Sequence, residues 1–150
     1  MERQLMTEEL IQFDVEAGSR EEVIAKMTQF MKADDRLLDW QGYEKDVLFR
    51  ESQASTAVGF MTATPHAKSA SVKVPSLAFM RLKQPMQWDD NEKVSICAVA
   101  IHIKNEKLHN KPLSAQRVIV ACYMSEKPLS RLDIFIIHLV LLHVLCYYVG

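Results

Sequence analysis

Cysteine is scarce and poorly spaced for structural use. Cys97, Cys122 and Cys146 make an odd count of three, with no CxxC or CxxxxC pair, so neither a disulfide framework nor a zinc site is indicated. A reducing, cytoplasmic setting is expected, and the N-terminal MERQLMTEEL lacks the basic start and apolar stretch of a signal peptide. No apolar run reaches the roughly 20 residues of a bilayer span. The longest, Ile134 to Val149, has sixteen residues and is broken by His138 and His143. Those histidines stand five apart, off the shared helix face that ligands at i and i+4 occupy, so no metal is expected there.

Net charge is also nearly absent, with 18 basic against 19 acidic side chains. That balance excludes a strongly basic nucleic-acid binder and an acidic disordered tail. The average conceals two unlike parts. Residues 1–50 carry 7 basic and 12 acidic side chains, whereas residues 51–150 carry 11 and 7, so an anionic substrate is expected at the second part. A length of 150 residues, 49% of them apolar, with four Gly and five Pro and no internal repeat, fits one ordinary globular domain spanning 1–150.

The run LIQFDV (10–15) reads as a strand closed by a turn at Ala17-Gly18. Ser19 with Glu22 three residues on has capping-box spacing, and Val23, Met27, Phe30 and Met31 recur at helical intervals, which predicts a helix to about Ala33. Trp40, Tyr43, Val47 and Leu48 predict a second helix that ends near Arg50, Glu51 and Ser52. Short strands are then expected over 57–62 and 76–82. VSICAVAIHI (94–103) is apolar on both alternating faces, as suits a central strand covered on each side. Strands alternating with helices argue an α/β sandwich.

Chemistry gathers in RESQASTAVGFMTATPHAK (50–68), with an Arg, several hydroxyls and His66. Pro65 fixes its own φ and pushes Thr64 toward extended backbone, so His66 leaves a strand end at a defined angle. A loop histidine is by itself commonly structural. Held this way, however, an imidazole with a pKa near ~6.5 keeps a lone pair and can form a covalent intermediate. For phosphoryl transfer the protein mainly positions groups and stabilises charge. Arg50 and the hydroxyls of Ser55 and Thr56 are chemically suited to that task.

The ordered set Arg50-Glu51, Ser55-Thr56, Pro65-His66, Val74-Pro75, Arg81-Leu82, Pro85 and Trp88 resembles the enzyme IIA domain of the sugar phosphotransferase system, fructose and mannitol type. The resemblance covers about residues 10–103. It implies an α/β fold with a mixed β-sheet flanked by helices, the phosphotransferase/anion-transport-like sandwich. It further implies that His66 accepts a phosphoryl group from the histidine-containing phosphocarrier protein and passes it to a cysteine of an enzyme IIB partner. Indirectly this serves the membrane IIC permease, and no metal or organic cofactor is implied. Arg50 takes the place of the family arginine that neutralises phosphoryl charge, with Ser55 and Thr56 as the phosphoryl-binding hydroxyl pair.

His109 is the nearest match to a second family histidine. From residue 107 to 150 the chain departs from the family pattern: Pro112 and Pro128 fall where long helices are expected, and residues 134–149 lack a polar face. That atypical C-terminal part is expected to be a divergent or frameshifted tail. Two alternatives stand beside the phosphocarrier: a regulatory IIA-like module of the nitrogen type, and a non-functional remnant.

Overall fold

The computed structural model describes residues 6–103, with side chains described as far as Ile96. His109 and the tail expected over 107–150 lie outside the described residues. After a short 3-10 turn at Glu8–Leu10 the elements run β1 (Ile11–Val15), α1 (Arg20–Ala33), α2 (Trp40–Gln53), β2 (Ala57–Gly59), β3 (Thr62–Ala63), β4 (Lys68–Ser69), β5 (Ser76–Gln87) and β6 (Lys93–Ile103). The expected mixed sheet flanked by helices is the architecture found.

Both helices start where side chains can satisfy their first amides. Ser19 Oγ accepts from the Glu22 amide at 3.1 Å, while the Glu22 carboxylate reaches back to the Gly18 amide at 2.9 Å, one residue earlier than an ordinary capping box. Asp39 Oδ1 accepts from the Gly42 amide at 3.1 Å. Gly42 is required there, because a Cβ would lie 2.3 Å from Asp39 Oδ2 and 2.8 Å from Ser71 Oγ. The inward faces, Val23, Ile24, Met27 and Met31 of α1 and Tyr43 and Val47 of α2, meet Ala63, Ala78, Met80, Leu82 and Val94 of the sheet, with Ala67 between β3 and β4, in one core.

Along the sheet the strand order is β1-β5-β6-β3-β2, with β4 also pairing with β6. β1 runs parallel to β5, β6 antiparallel to β5, and both β3 and β4 parallel to β6. The chain therefore crosses from β1 through both helices before β5 joins it. Successive residues Ser76, Leu77, Ala78, Phe79 and Met80 are all buried, so β5 is covered on both faces. On the face away from the helical core, Phe79 packs edge-on against Phe13 at 6.0 Å, and the Arg81 guanidinium lies 4.7 Å from the Phe13 ring.

Two expectations need correction. The single strand over 57–62 is instead a hairpin, because Gly59, Phe60 and Met61 all take positive φ (84°, 52° and 57°) and reverse the chain between β2 and β3. The strand expected over 76–82 continues to Gln87. It tolerates Pro85, which has no amide to give a ladder, because the pairing with β6 shifts register between Arg81 and Met86. Arg36, although it stands within the polar stretch DDR, is 1% exposed. Its Nε donates to Asp34 at 2.6 Å and its Nη1 to Ser76 Oγ at 3.1 Å, while its carbonyl accepts the amides of Lys73 and Val74.

Candidate functional site

His66 sits in a break within a strand. Ala63 pairs with Cys97 and Lys68 with His102, so the two partners advance by the same five residues across the gap. Residues 64–67 thus interrupt what is otherwise one in-register line beside β6. Pro65 explains the break, since it offers no amide to the ladder. The two ends are fastened separately. On the first side the Thr64 amide donates to the Thr56 carbonyl at 3.0 Å. On the second, the buried Ser69 hydroxyl donates to Asp46 on α2 at 2.5 Å.

The half-buried imidazole is oriented from within this break. His66 Nδ1 lies 2.7 Å from the Thr64 carbonyl oxygen. A carbonyl can only accept, so Nδ1 carries the proton, and in the neutral ring the lone pair is on Nε2. The expectation that Pro65 presents His66 at a fixed angle has this as its physical content. Pro65 itself is buried against α1 and α2, lining a small space with Met27, Thr28, Tyr43 and Val47.

Arg50 closes the last turn of α2, its Nη1 donating to the Ala54 carbonyl at 3.0 Å. This satisfies one of the carbonyls that a helix end leaves unpaired. A guanidinium has five N–H donors, so capping leaves it able to meet an anion as well. Phe49, beside it in sequence, and Phe60 and Met61 of the β2–β3 hairpin are exposed.

Ser55 and Thr56 are placed differently from the expectation of a phosphoryl-binding pair. Both hydroxyls donate to carboxylates, Ser55 to Asp89 and Thr56 to Glu51 at 2.6 Å. Thr56 is moreover buried, at 4% exposure. Glu51, which the sequence showed only as the partner of Arg50, also accepts the Thr56 amide at 2.9 Å and Trp88 Nε1 at 2.8 Å. The two motif residues therefore lock the end of α2 to the start of β2 and to the end of β5.

The Ser55 hydroxyl is the main cause holding the Asp89 carboxyl below the usual carboxylate range, helped by the amides of Asn91 and Glu92. A group lowered on folding adds stability above its unfolded pKa and loses it as pH falls through the folded value. Ser55→Ala is therefore expected to raise the Asp89 pKa and shrink this acid-side loss, as a carboxyl-detected NMR titration of Asp89 would read. An unmoved Asp89 would show that the serine is not the cause.

Among the described residues no three His, Cys, Asp or Glu side chains gather to hold a metal. No helix among them is long and apolar enough to cross a membrane.

A mixed sheet with two helices and a histidine anchored at a strand break defines an α/β sandwich of a particular kind. Residues 4–129 match the family model described as "Phosphoenolpyruvate-dependent sugar phosphotransferase system, EIIA 2", and the chain belongs to that family. It is 32% identical over 124 residues, 83% of its length, to the fructose-specific EIIABC component of the phosphotransferase system of Bacillus subtilis (strain 168), of which it spans 20%. Its fold is similar to that of nitrogen regulatory protein IIA-Ntr from Neisseria meningitidis, with a TM-score of 0.61 and 23% identity, covering 77% of this chain and 75% of that one. It is likewise similar to a chain in the complex of enzyme IIAMTL with phosphorylated enzyme IIBMTL from Escherichia coli, with a TM-score of 0.57 and 17% identity, covering 75% and 74%.

Proposed function

We propose that the chain is a phosphocarrier of sugar uptake that holds a phosphoryl group on His66. The observation that carries this reading is the 2.7 Å contact between His66 Nδ1 and the Thr64 carbonyl, which leaves the lone pair on Nε2. The donor is the phosphohistidine of the histidine-containing phosphocarrier protein. Its N–P bond breaks as the His66 Nε2–P bond forms, and the departing imidazole takes the electron pair. Nδ1–H stays on the Thr64 carbonyl while the phosphorylated ring gains positive charge, so no proton has to move in the transfer. Onward passage to an enzyme IIB cysteine is the same displacement with a thiolate as nucleophile.

Incubation with phosphoenolpyruvate, enzyme I and the phosphocarrier protein is expected to give an acid-labile phosphoramidate at Nε2. Phosphoamino-acid analysis after alkaline hydrolysis separates the two ring isomers. Phosphate on Nδ1, or on another residue, would refute the reading.

Arg50 is assigned to neutralising the phosphoryl group in transfer. Arg50→Ala is expected to slow labelling by about a hundredfold, the usual effect of losing one charge-stabilising donor. Arg50→Lys should recover part of it, and quenched-flow labelling gives both rates. Equal rates for Arg50→Ala and the parent chain would restrict Arg50 to its capping role.

The fold likeness to the Neisseria meningitidis regulatory protein supports a second reading, a nitrogen-type regulatory module. It keeps the phosphohistidine and replaces onward transfer by phosphorylation-dependent binding of a partner. Chasing the label into a purified enzyme IIB cysteine separates the two. The proposed unit is one EIIA domain over 1–150. A family match that continues to residue 129 favours a divergent ending over a frame shift near 107, and translating the gene in its other frames tests this.

A further inference from the structure

We propose that Glu51 is a positioning residue for His66, acting through Thr56 and Thr64; the kinetic part of the proposal rests on the phosphocarrier reading above. Glu51 is 3% exposed, on the last turn of α2. Three neutral donors surround its carboxylate: Trp88 Nε1 at 2.8 Å, the Thr56 amide at 2.9 Å and the Thr56 hydroxyl at 2.6 Å. A carboxylate so deeply placed is expensive to bury unless its oxygens are satisfied, and these three bonds satisfy them.

What Glu51 grips is more informative than what grips Glu51. Thr56 is clamped by both its amide and its hydroxyl, which leaves its carbonyl pointing in one direction. That carbonyl accepts the Thr64 amide at 3.0 Å and the Thr64 hydroxyl at 3.4 Å. Thr64 is thereby fixed from one side, and from the other its backbone is confined by Pro65. The Thr64 carbonyl is then aimed at His66 Nδ1, 2.7 Å away. An unbroken line of hydrogen bonds runs from Trp88 through Glu51, Thr56 and Thr64 to the imidazole, and each joint spans a single residue.

The chemical consequence falls on the tautomer. Which ring nitrogen holds the proton is set by the bond the other atoms make with it. If Thr56 loosens, the Thr64 carbonyl loses its aim, the proton is no longer confined to Nδ1, and the tautomer with its proton on Nε2 offers no lone pair there for phosphorus. Glu51 touches neither the phosphoryl group nor the ring, and its effect travels through backbone geometry.

The test uses the full chain labelled with 15N at histidine, above the titration of the ring. In the parent chain His66 is expected as the Nδ1–H form. Glu51→Leu, which keeps bulk and removes the acceptor, should shift His66 toward the Nε2–H form and slow phosphoryl uptake about tenfold, as a small misalignment of reacting groups does. Glu51→Gln should restore the tautomer and most of the rate, because its amide oxygen still accepts and the Thr56 hydroxyl can rotate to accept in turn. Should Glu51→Leu fail to fold, Thr56→Val removes one of the three donors at nearly constant volume and carries the same expectation at smaller size. A folded Glu51→Leu or Thr56→Val chain with the parent tautomer overturns the proposal, even if its rate falls. A parent chain that takes no label overturns the phosphocarrier reading instead, and leaves the tautomer comparison to decide on Glu51.

Discussion

Replacing His66 by Ala is expected to reduce phosphoryl uptake to background while leaving the fold unchanged. On the phosphocarrier reading the group is carried covalently, so the loss is expected to be complete. Without Nε2 no N–P bond forms, and a hydroxyl nearby cannot substitute at neutral pH without a base to activate it. The nearest hydroxyls in sequence, those of Thr62, Thr64 and Ser69, are each already engaged with a carboxylate or a carbonyl. Stability should move by less than about 1 kcal/mol, since the side chain is only partly buried. Radiolabelling from phosphoenolpyruvate, with urea unfolding of the same preparation, checks both parts. Label that persists in His66→Ala would place the carrier elsewhere in the chain.

The largest expected change in stability belongs to a different residue. Arg36→Ala removes a guanidinium that is 1% exposed and bonded to Asp34 and to Ser76. The pair it forms with Asp34 is itself largely buried, at 1% and 15% side-chain exposure. Taking away one member leaves a poorly solvated carboxylate without its cation, at a cost of about 3–5 kcal/mol. Lys73→Ala is the control, because its ion pair with Asp35 is open to solvent at 43% and 61% and should be worth under about 1 kcal/mol. Urea midpoints of the two variants should differ accordingly, and similar midpoints would mean that Arg36 is not the pin of this corner. Its place supports that role, since its carbonyl accepts the amides of Lys73 and Val74, where the chain turns into β5.

Much of the helical half could be read in advance, because its signals are local. Ser19 and Glu22 announce α1, and the spacing of Tyr43 and Val47 announces the buried face of α2. The hairpin at 59–61 could not be read in that way. Only Gly59 belongs to the residues that favour left-handed backbone, and the Phe60 and Met61 that follow it look like the continuation of an apolar strand. Arg36 was equally hidden. A charged residue directly after two aspartates reads as solvated loop, and its partner Ser76 lies forty residues away.

The site divides along the same line. His66, Pro65 and Arg50 stand out by residue type and by the company they keep. That Glu51, Thr56 and Trp88 form one buried cluster is a fact of tertiary structure, since 37 residues separate Glu51 from Trp88. The motif named the residues without the bonds between them. Ser55 and Thr56 were assigned to an anion because hydroxyls suit anions, and the fold gives their protons to carboxylates instead.

The broken strand around His66 also constrains when the molecule can work. Ala63 finds its partner at Cys97 and Lys68 at His102, while β1 waits for Phe79. Pairings of such long sequence separation form slowly, after the loop entropy has been met. During synthesis, then, His66 leaves the ribosome well before the strand that frames it, and the anchored histidine that the phosphocarrier reading requires exists only once β6 has followed. A truncated nascent chain ending before residue 93 would present the histidine without its setting.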